Sequence, residues 1–200
     1  DEEAARFIQK ALFVTVTNVA WDDDVIIDWV TEGLEVRDGV KDRVGPEDTG
    51  ALPKCAIWTP ETDEEIMAQA LSDEVRITST GDEDVRSLRE LLIIGCKGIA
   101  AYADHAAVLG YRQDEIDSFL MEALASTTQD LDTDEMIAMV MRAGDVAVKT
   151  MALLDEAHTT TYGDPEITEE DIGVGENPGI LISELDPRDK EELPNQSEAT

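Results

Sequence analysis

The sequence predicts an all-α protein, and three observations support that fold class. Apolar residues recur at intervals of three and four, the spacing of one face of a helix, over most of residues 3–157. Residues that cap helices, mainly aspartate and threonine, precede these segments. Only residues 179–183 form the short continuous apolar run of a buried β-strand. We therefore predict two short antiparallel helical bundles of the three-helix type, then a loop and one orphan β-strand.

Two helices are predicted within residues 1–45. The first covers residues 3–17. Asp22 can cap the second, which should end in the glycine-containing segment 39–45. The side chains expected to face inward are Phe7, Ala11, Leu12 and Val14 in the first helix and Val25, Ile26, Trp29, Val30 and Leu34 in the second.

A connector without a regular pattern follows. Residues 46–60 are rich in turn-forming residues and are predicted to be irregular. Thr62 and Glu65 then stand at capping-box positions, which predicts a short helix that ends at about Leu71. Residues 75–80 are expected to be extended or a loop.

The longest predicted helix covers residues 84–109. Asp82 and Asp84 can cap its start, and Gly110 is a plausible stop. A helix of this length approaches roughly 40 Å at about 1.5 Å per residue. We expect it to be mostly buried because apolar residues occupy both sides: Leu88, Leu91, Leu92, Gly95, Ile99, Tyr102, Ala106 and Leu109 on one, and Ile93, Ile94, Cys96 and Ala103 on the other.

Two more helices complete the predicted set. The first covers residues 114–126, and the second covers residues 132–157. Asp132 and Glu135 occupy capping-box positions at the start of the second. The inward residues of the first are expected to be Ile116, Phe119, Leu120 and Leu124.

A weak internal repeat relates the two halves. The segment from Phe7, FIQKALFVTVTN, aligns with the segment from Phe119, FLMEALASTTQD, and each is followed by an acidic cap and another amphipathic helix. The long helix precedes the second copy, whereas no equivalent precedes the first. The first bundle is therefore predicted to lack its first helix.

This organisation divides the chain into four predicted segments. They are an incomplete first helical bundle (1–45), an irregular connector with a short helix (46–81), a second three-helix bundle (82–162), and a loop, strand and tail that would lead into an α/β domain (163–200).

Several segments also resemble one known family. They read ALFVTVTNVAWDD at 11–23, ALPKCAIWTPET at 51–62, the segment at 82–111 that contains the long helix, ALASTT at 123–128, MALLDEAHTTTYGDPEIT at 151–168 and GVGENPGILIS at 173–183. In this order they resemble the hybrid-cluster proteins, the prismane or hydroxylamine reductase family. The resemblance implies that the chain is the helical portion of a longer oxidoreductase.

The resemblance also implies the chemistry of the parent enzyme. Members of the family reduce hydroxylamine, and related nitrogen oxides such as NO, to ammonia or other reduced products. They bind a 4Fe-4S or 2Fe-2S cluster through four cysteines before the matched region and a hybrid Fe-S-O cluster through ligands after it. This segment would therefore supply scaffold, with no cofactor of its own.

No residue of the chain is predicted to be catalytic, cofactor-binding or metal-ligating. Cys55 and Cys96 stand 41 positions apart without a paired-cysteine motif and are expected to be reduced structural thiols. His105 and His158 have no converging partners in the pattern.

Three further patterns have structural explanations. Asp130, Asp132 and Asp134 imitate the start of a calcium loop, but the required glycine and final glutamate are missing. The glycines at 173 and 175 precede the apolar strand rather than follow it, so they are no dinucleotide fingerprint. The methionines Met136, Met139, Met141 and Met151 are expected to pack in the core.

Charge is the unusual feature of the composition. The chain has 47 acidic and 15 basic residues, a formal charge of −32. A surface this acidic repels nucleic acid and anionic membranes, so neither is an expected partner. It suits a salt-rich cytoplasm, and an ordinary acidic protein or an engineered surface remains the alternative. No export signal is visible, and we expect a soluble cytoplasmic protein.

Two functions remain open from the sequence. The chain is the helical scaffold of a hybrid-cluster protein, with the α/β domains of the same enzyme as its partner. Alternatively it is a stand-alone or engineered helical module that serves for assembly or packing and self-associates through the incomplete first bundle. Natural polypeptide that extends past Thr200 into cysteine-bearing α/β sequence would favour the first.

The charge predicts that stability rises with salt. The screening length falls from about 8 Å at 0.15 M to about 3 Å at 1 M, which removes most repulsion between neighbouring carboxylates. The melting temperature should therefore climb with sodium chloride and respond much less to sucrose, which serves as the uncharged control. A flat response to chloride would contradict the charge account.

Overall fold

The computed structural model describes residues 1–16, 19–20, 22–45, 52–169 and 172–174. Over these residues it is helical, with no β-strand, which confirms the all-α class. The predicted strand at 179–183 lies outside the described residues. The helices are α1 (Glu2–Val14), α2 (Asp23–Val44), α3 (Lys54–Ile57), α4 (Asp63–Ala70), α5 (Glu83–Val108), α6 (Asp114–Ser126) and α7 (Thr133–Tyr162).

Local capping chemistry explains where most helices start. The Asp82 carboxylate accepts hydrogen bonds from the backbone N–H groups of Asp84 and Val85 at 2.9 and 3.0 Å. Asp132 and Glu135 form the predicted capping box, with both bonds at 2.9 Å. The box predicted at Thr62 is only half formed, because the Glu65 carboxylate accepts from the N–H of Glu61 instead.

Three boundaries differ from the predictions. Helix α1 ends at Val14 rather than 17, where the Thr15 hydroxyl donates to the Leu12 carbonyl. Helix α7 continues to Tyr162 rather than 157 and stops at Gly163, whose φ of 88° favours glycine. The short helix α3 was missed in the connector, and a single 3₁₀ turn occupies Ile77–Ser79.

The core lies where α5, α6 and α7 meet. Helices α5 and α7 share the most extensive interface in the chain, and Phe119 of α6 is completely buried. The core cluster consists of Leu92, Cys96, Ile99, Ala100, Ala103, Ala106, Ile116, Phe119, Leu120, Ala123, Met136, Ala143, Val146, Leu153 and Ala157.

Burial corrects several predicted inward positions. Helix α5 is buried on one face only, and Leu91 and Tyr102 lie on its exposed side. In α1 the buried residues are Ala5 and Gln9. Helix α2 has no buried residue at all. Three of the four inward positions of α6 are confirmed, and Leu124 is only half-buried.

The helices do not separate into the two predicted bundles. Helix α1 makes its most extensive contacts with α5, then with α6, and only then with α2. Ile8 and Leu12 lie against the core, and the ring of Phe13 meets the imidazole of His105 edge-on at 5.2 Å between centroids. Because α1 is apolar on two sides, it buries one of them against the larger core. The four-segment division of the chain stays a prediction.

The other side of α1 packs against α2. The rings of Phe7 and Trp29 lie 5.7 Å apart. A Cβ atom at Gly33 would lie 3.0 Å from the end of the Phe7 ring, so this glycine sets how closely the two helices approach. Arg37 holds the connector against α2, since its guanidinium donates to the carbonyl of Trp58 at 2.5 Å.

We predict that Gly33→Ala destabilises the chain. Alanine is favoured over glycine in a helix by about 1 kcal/mol, but the crowded Phe7 ring should cost about 1–3 kcal/mol. Gly98→Ala in α5 is the matched control, because nothing lies within 4 Å of the added Cβ; it should stabilise. Urea unfolding measures both, and equal stabilisation by the two substitutions would contradict the close contact.

Candidate functional site

A buried polar contact joins α1 to α6. The side-chain amide of Gln9 donates to the carboxylate of Asp117. Gln9 is 2% exposed and Asp117 is 7% exposed. Buried polar groups are costly unless they are paired, so this contact fixes the register of the two helices.

Two arginines extend the contact into a network. Arg112 donates to Asp117 at 2.7 Å and also to Glu2. At the other end, the Arg6 guanidinium donates to the Gln9 carbonyl oxygen at 2.5 Å. These contacts use both polar ends of the Gln9 amide and both oxygens of the Asp117 carboxylate.

The Arg6 guanidinium also reaches α5, where it pairs with Asp104 at 2.9 Å. The network therefore connects three helices. Its side chains are buried or half-buried except that of Glu2, which is 82% exposed. We call Glu2, Arg6, Gln9, Asp104, Arg112 and Asp117 the polar clamp.

A cavity of about 500 Å³ opens beside the polar clamp. Its charged groups are already engaged in the clamp or stand at helix starts, and no cysteine or histidine lines it. Carboxylates can also act as catalytic groups, but the Glu2 and Asp117 carboxylates are already paired with Arg112. The arrangement is suited to holding the helices together. The lining residues are Asp1, Glu2, Ala5, Arg112, Asp114, Asp117, Ser118 and Met121.

The central pair of the polar clamp, Gln9 and Asp117, lies in the two segments that the internal repeat relates. A shift of 112 positions, which aligns Phe7 with Phe119, also aligns Gln9 with Met121 and Ala5 with Asp117. The Gln9–Asp117 contact therefore has Ala5 and Met121 as its counterpart, and both of these line the same cavity. Helices α1 and α6 are thus related partners, with a polar pair at one set of equivalent positions and an apolar pair at the other.

The fold places neither histidine at the Gln9–Asp117 contact, and the two histidines have different aromatic neighbours. His105 meets the Phe13 ring edge-on and borders an apolar groove on α5, while the His158 ring lies 5.8 Å from the ring of Tyr162. The aspartates that imitate a calcium loop include the cap of α7, Asp132. Met136 is fully buried in the core, but Met141 and Met151 are exposed, so core packing explains only part of the methionine row.

The two cysteines do not fit an iron–sulfur cluster. Cys55 is exposed on α3, whereas Cys96 is buried among apolar side chains of α5. Burial raises the pKa of the Cys96 thiol to about 11, which disfavours the thiolate that ligation requires. Among the described residues, no three His, Cys, Asp or Glu side chains converge to hold a metal ion. The absence of a cluster from the chain stays a prediction.

Sequence reasoning missed the polar clamp, although a signal for it was present. Gln9 and Asp117 stand at positions of α1 and α6 where the helical spacing calls for apolar residues, next to Ala5 and Phe119. A buried polar residue in such a position usually has a buried partner. The partner itself could not be found, because 108 positions separate the two residues.

Comparison with known proteins decides the family. A model described as the Prismane/CO dehydrogenase family matches residues 1–200. The chain belongs to this family. The prismane-family match confirms the resemblance drawn from the sequence.

Three curated relatives of this prismane-family chain are hydroxylamine reductases. The protein from Desulfosudis oleivorans is 65% identical over 200 residues, which cover 100% of this chain and 36% of the relative. The Nitratidesulfovibrio vulgaris protein is 54% identical over 208 residues, 100% of this chain and 37% of the relative. The Methanocaldococcus jannaschii protein is 45% identical over 199 residues, which cover 98% of this chain and 36% of the relative. The chain therefore spans little more than a third of their length.

Among the residues that the structure describes, one helix is long and apolar enough to cross a membrane by length and composition. It is α5, Glu83–Val108. Six of its residues are buried in the core described above, and core helices meet the same criterion, so this property of the prismane-family chain is weak evidence for a membrane.

We predict that Asp117→Ala destabilises the chain by about 2–4 kcal/mol, because it leaves the Gln9 amide and Arg112 without their buried acceptor. Adding Gln9→Met, which reproduces the apolar counterpart of the contact, should recover part of the loss. Asp114→Ala, at the exposed first turn of the same helix, is the control and should cost less than about 1 kcal/mol. Strict additivity of the two clamp substitutions in denaturant unfolding would contradict the contact.

We predict that only Cys55 reacts with a thiol reagent at pH 8 in the folded chain. Folding also raises the pKa of the Cys96 thiol. The burial of this neutral thiol therefore contributes to the stability of the folded chain below the unfolded pKa near 9, and that contribution is lost as the pH rises towards 11. Mass spectrometry should show one label in the native chain and two in urea. Two labels at pH 8 without denaturant would contradict the burial of Cys96.

Proposed function

We propose that the chain is the helical scaffold of a hybrid-cluster enzyme that reduces hydroxylamine, and related nitrogen oxides such as NO, to ammonia or other reduced products. The observation that carries this proposal is the family match over all 200 residues, together with hydroxylamine reductases that are up to 65% identical. The described residues contribute packing and a polar clamp, and no cluster ligand is assigned to them.

The proposed partner is the remainder of the same enzyme, including α/β domains. The repeat supports a partner on α2. When the caps Asp22 and Asp132 are aligned, Ile26, Gly33 and Val36 of α2 match Met136, Ala143 and Val146 of α7.

The α7 residues are buried, whereas none of the α2 residues is. Helix α7 buries its face chiefly against α5. The matching face of α2 packs against α1, where Gly33 meets the Phe7 ring, but no residue of α2 is fully buried. It is therefore only partly covered, which leaves surface for a contact with the rest of the enzyme. A second copy of the chain is the alternative occupant. Charge opposes it, because each copy carries a formal charge of −32.

The scaffold has a physical task in such an enzyme. Proteins that bind redox clusters position them, exclude solvent and hold the surrounding structure fixed. A core of tightly packed α5, α6 and α7, to which α1 is attached by ion pairs, suits that task. We propose that the enzyme works in the cytoplasm, with no nucleic acid or membrane among its partners.

Anaerobic cluster reconstitution tests the proposal. The 200-residue chain should retain no stoichiometric iron and sulfide, because two separated thiols cannot provide the four ligands that such clusters take. Its hydroxylamine consumption should equal that of buffer, whereas the full-length polypeptide should reduce hydroxylamine.

Two results would overturn parts of this account. Stoichiometric iron and sulfide with a charge-transfer band in the chain alone would refute the scaffold role. A full-length, cluster-loaded polypeptide that leaves hydroxylamine untouched would refute the activity and favour a module for assembly or packing.

A further inference from the structure

Helix α7 carries a second apolar face that points away from the core. Ile137, Met141, Val148 and Met151 are 44%, 68%, 68% and 55% exposed. With Gly144 they follow one another at intervals of four, three, four and three residues. We call these five residues the α7 stripe. Most exposed hydrophobic residues stand singly, so four in one row need an explanation.

The charge of this region differs from the rest of the chain. Residues 136–154 contain one acidic residue, Asp145, and two basic residues, Arg142 and Lys149. The whole chain has 47 acidic residues in 200. If the α7 stripe faced water in the working protein, we would expect it to share the acidic surface. Its composition is that of a covered face.

The spacing indicates what covers it. Alternating intervals of three and four are the pattern by which one helix packs along another at a small crossing angle. Gly144 stands in the middle of the stripe, and a Cβ atom there would meet nothing within 4 Å. A neighbouring helix could therefore approach closely at this point. An extended strand, with its two-residue period, would not match the row.

We propose that a helix of the same polypeptide, outside residues 1–200, packs along the α7 stripe. This inference rests on the proposed function, which makes the chain part of a larger enzyme. The occupant carries an apolar face at the same spacing and a basic residue opposite the exposed Asp145, which flanks the stripe.

Two considerations favour this occupant over a second copy. The chain spans only 36% of the length of a relative at 65% identity, and the proposed function therefore assigns most of the enzyme to residues outside 1–200. A tethered segment also meets the stripe at a high effective concentration. Two copies, by contrast, would have to bring together formal charges of −32 each.

Hydroxyl-radical footprinting of the full-length polypeptide tests the proposal with native side chains. Each methionine is compared with itself in urea, and the readout is how much slower it oxidises in the native protein. Met136, which is fully buried, is the internal standard for protection. Met141 and Met151 should be slowed roughly tenfold or more, as Met136 is. Native rates within about twofold of the unfolded rates would overturn the proposal.

A substitution sharpens the test. Gly144→Leu should block the close approach, so that Met141 and Met151 oxidise faster while Met136 stays protected. Gly98→Leu in α5 is the matched control, since that glycine also has open space around it; it should leave both stripe methionines protected. Equal protection in the two variants would overturn the proposed packing.

Protection that appears only as protein concentration rises, with dimers in sedimentation, would make a second copy the occupant and refute the proposal. Hydroxylamine reduction by the same preparation is measured separately. If Met141 and Met151 are protected but hydroxylamine is not reduced, the packing on the α7 stripe stands and the proposed function is refuted. If hydroxylamine is reduced but the two methionines are not protected, the proposed function stands and the packing is refuted.

Discussion

Small side chains let α5 and α7 pack closely along much of their length, and the other helices depend on that pair. Ala100, Ala103 and Ala106 of α5 are buried, as are Ala143 and Ala157 of α7. A Cβ atom on Gly95 would lie 3.9 Å from that of Ala143. Close-packed interiors are sensitive to changes of even one methylene. The interface of α5 and α7 is therefore a rigid surface, and Phe119 of α6 packs in the core that it forms.

The polar clamp then decides how α1 attaches to that surface. Apolar contacts through Ile8 and Leu12 favour burial of α1 but are compatible with several registers. Only one register pairs Gln9 with Asp117 and Arg6 with Asp104. Buried polar contacts of this kind add specificity as well as stability in some proteins, and here they select one position of α1.

The sequence predicted the local features well and the distant ones poorly. The starts of α5 and α7 were correct because Asp82 and Asp132 cap the helices within three residues. The internal repeat suggested two separate bundles, but it contains no information about which helices touch. The exposure of Leu91 was missed for the same reason: α5 is apolar on both sides, and only its neighbours determine which side is covered. The candidate site remained hidden because its residues lie far apart in the sequence.

Hydrogen exchange, measured residue by residue in the full-length polypeptide and in the 200-residue chain, tests the central claim most directly. We expect α5, α6 and α7 to exchange slowest in both, with α1 protected together with them. Helix α2, which has no buried residue, should exchange fast in the chain and slowly in the full-length protein if the proposed contact with the rest of the enzyme forms. Exchange of α1 and α2 together as one unit, separate from α5, would contradict this account.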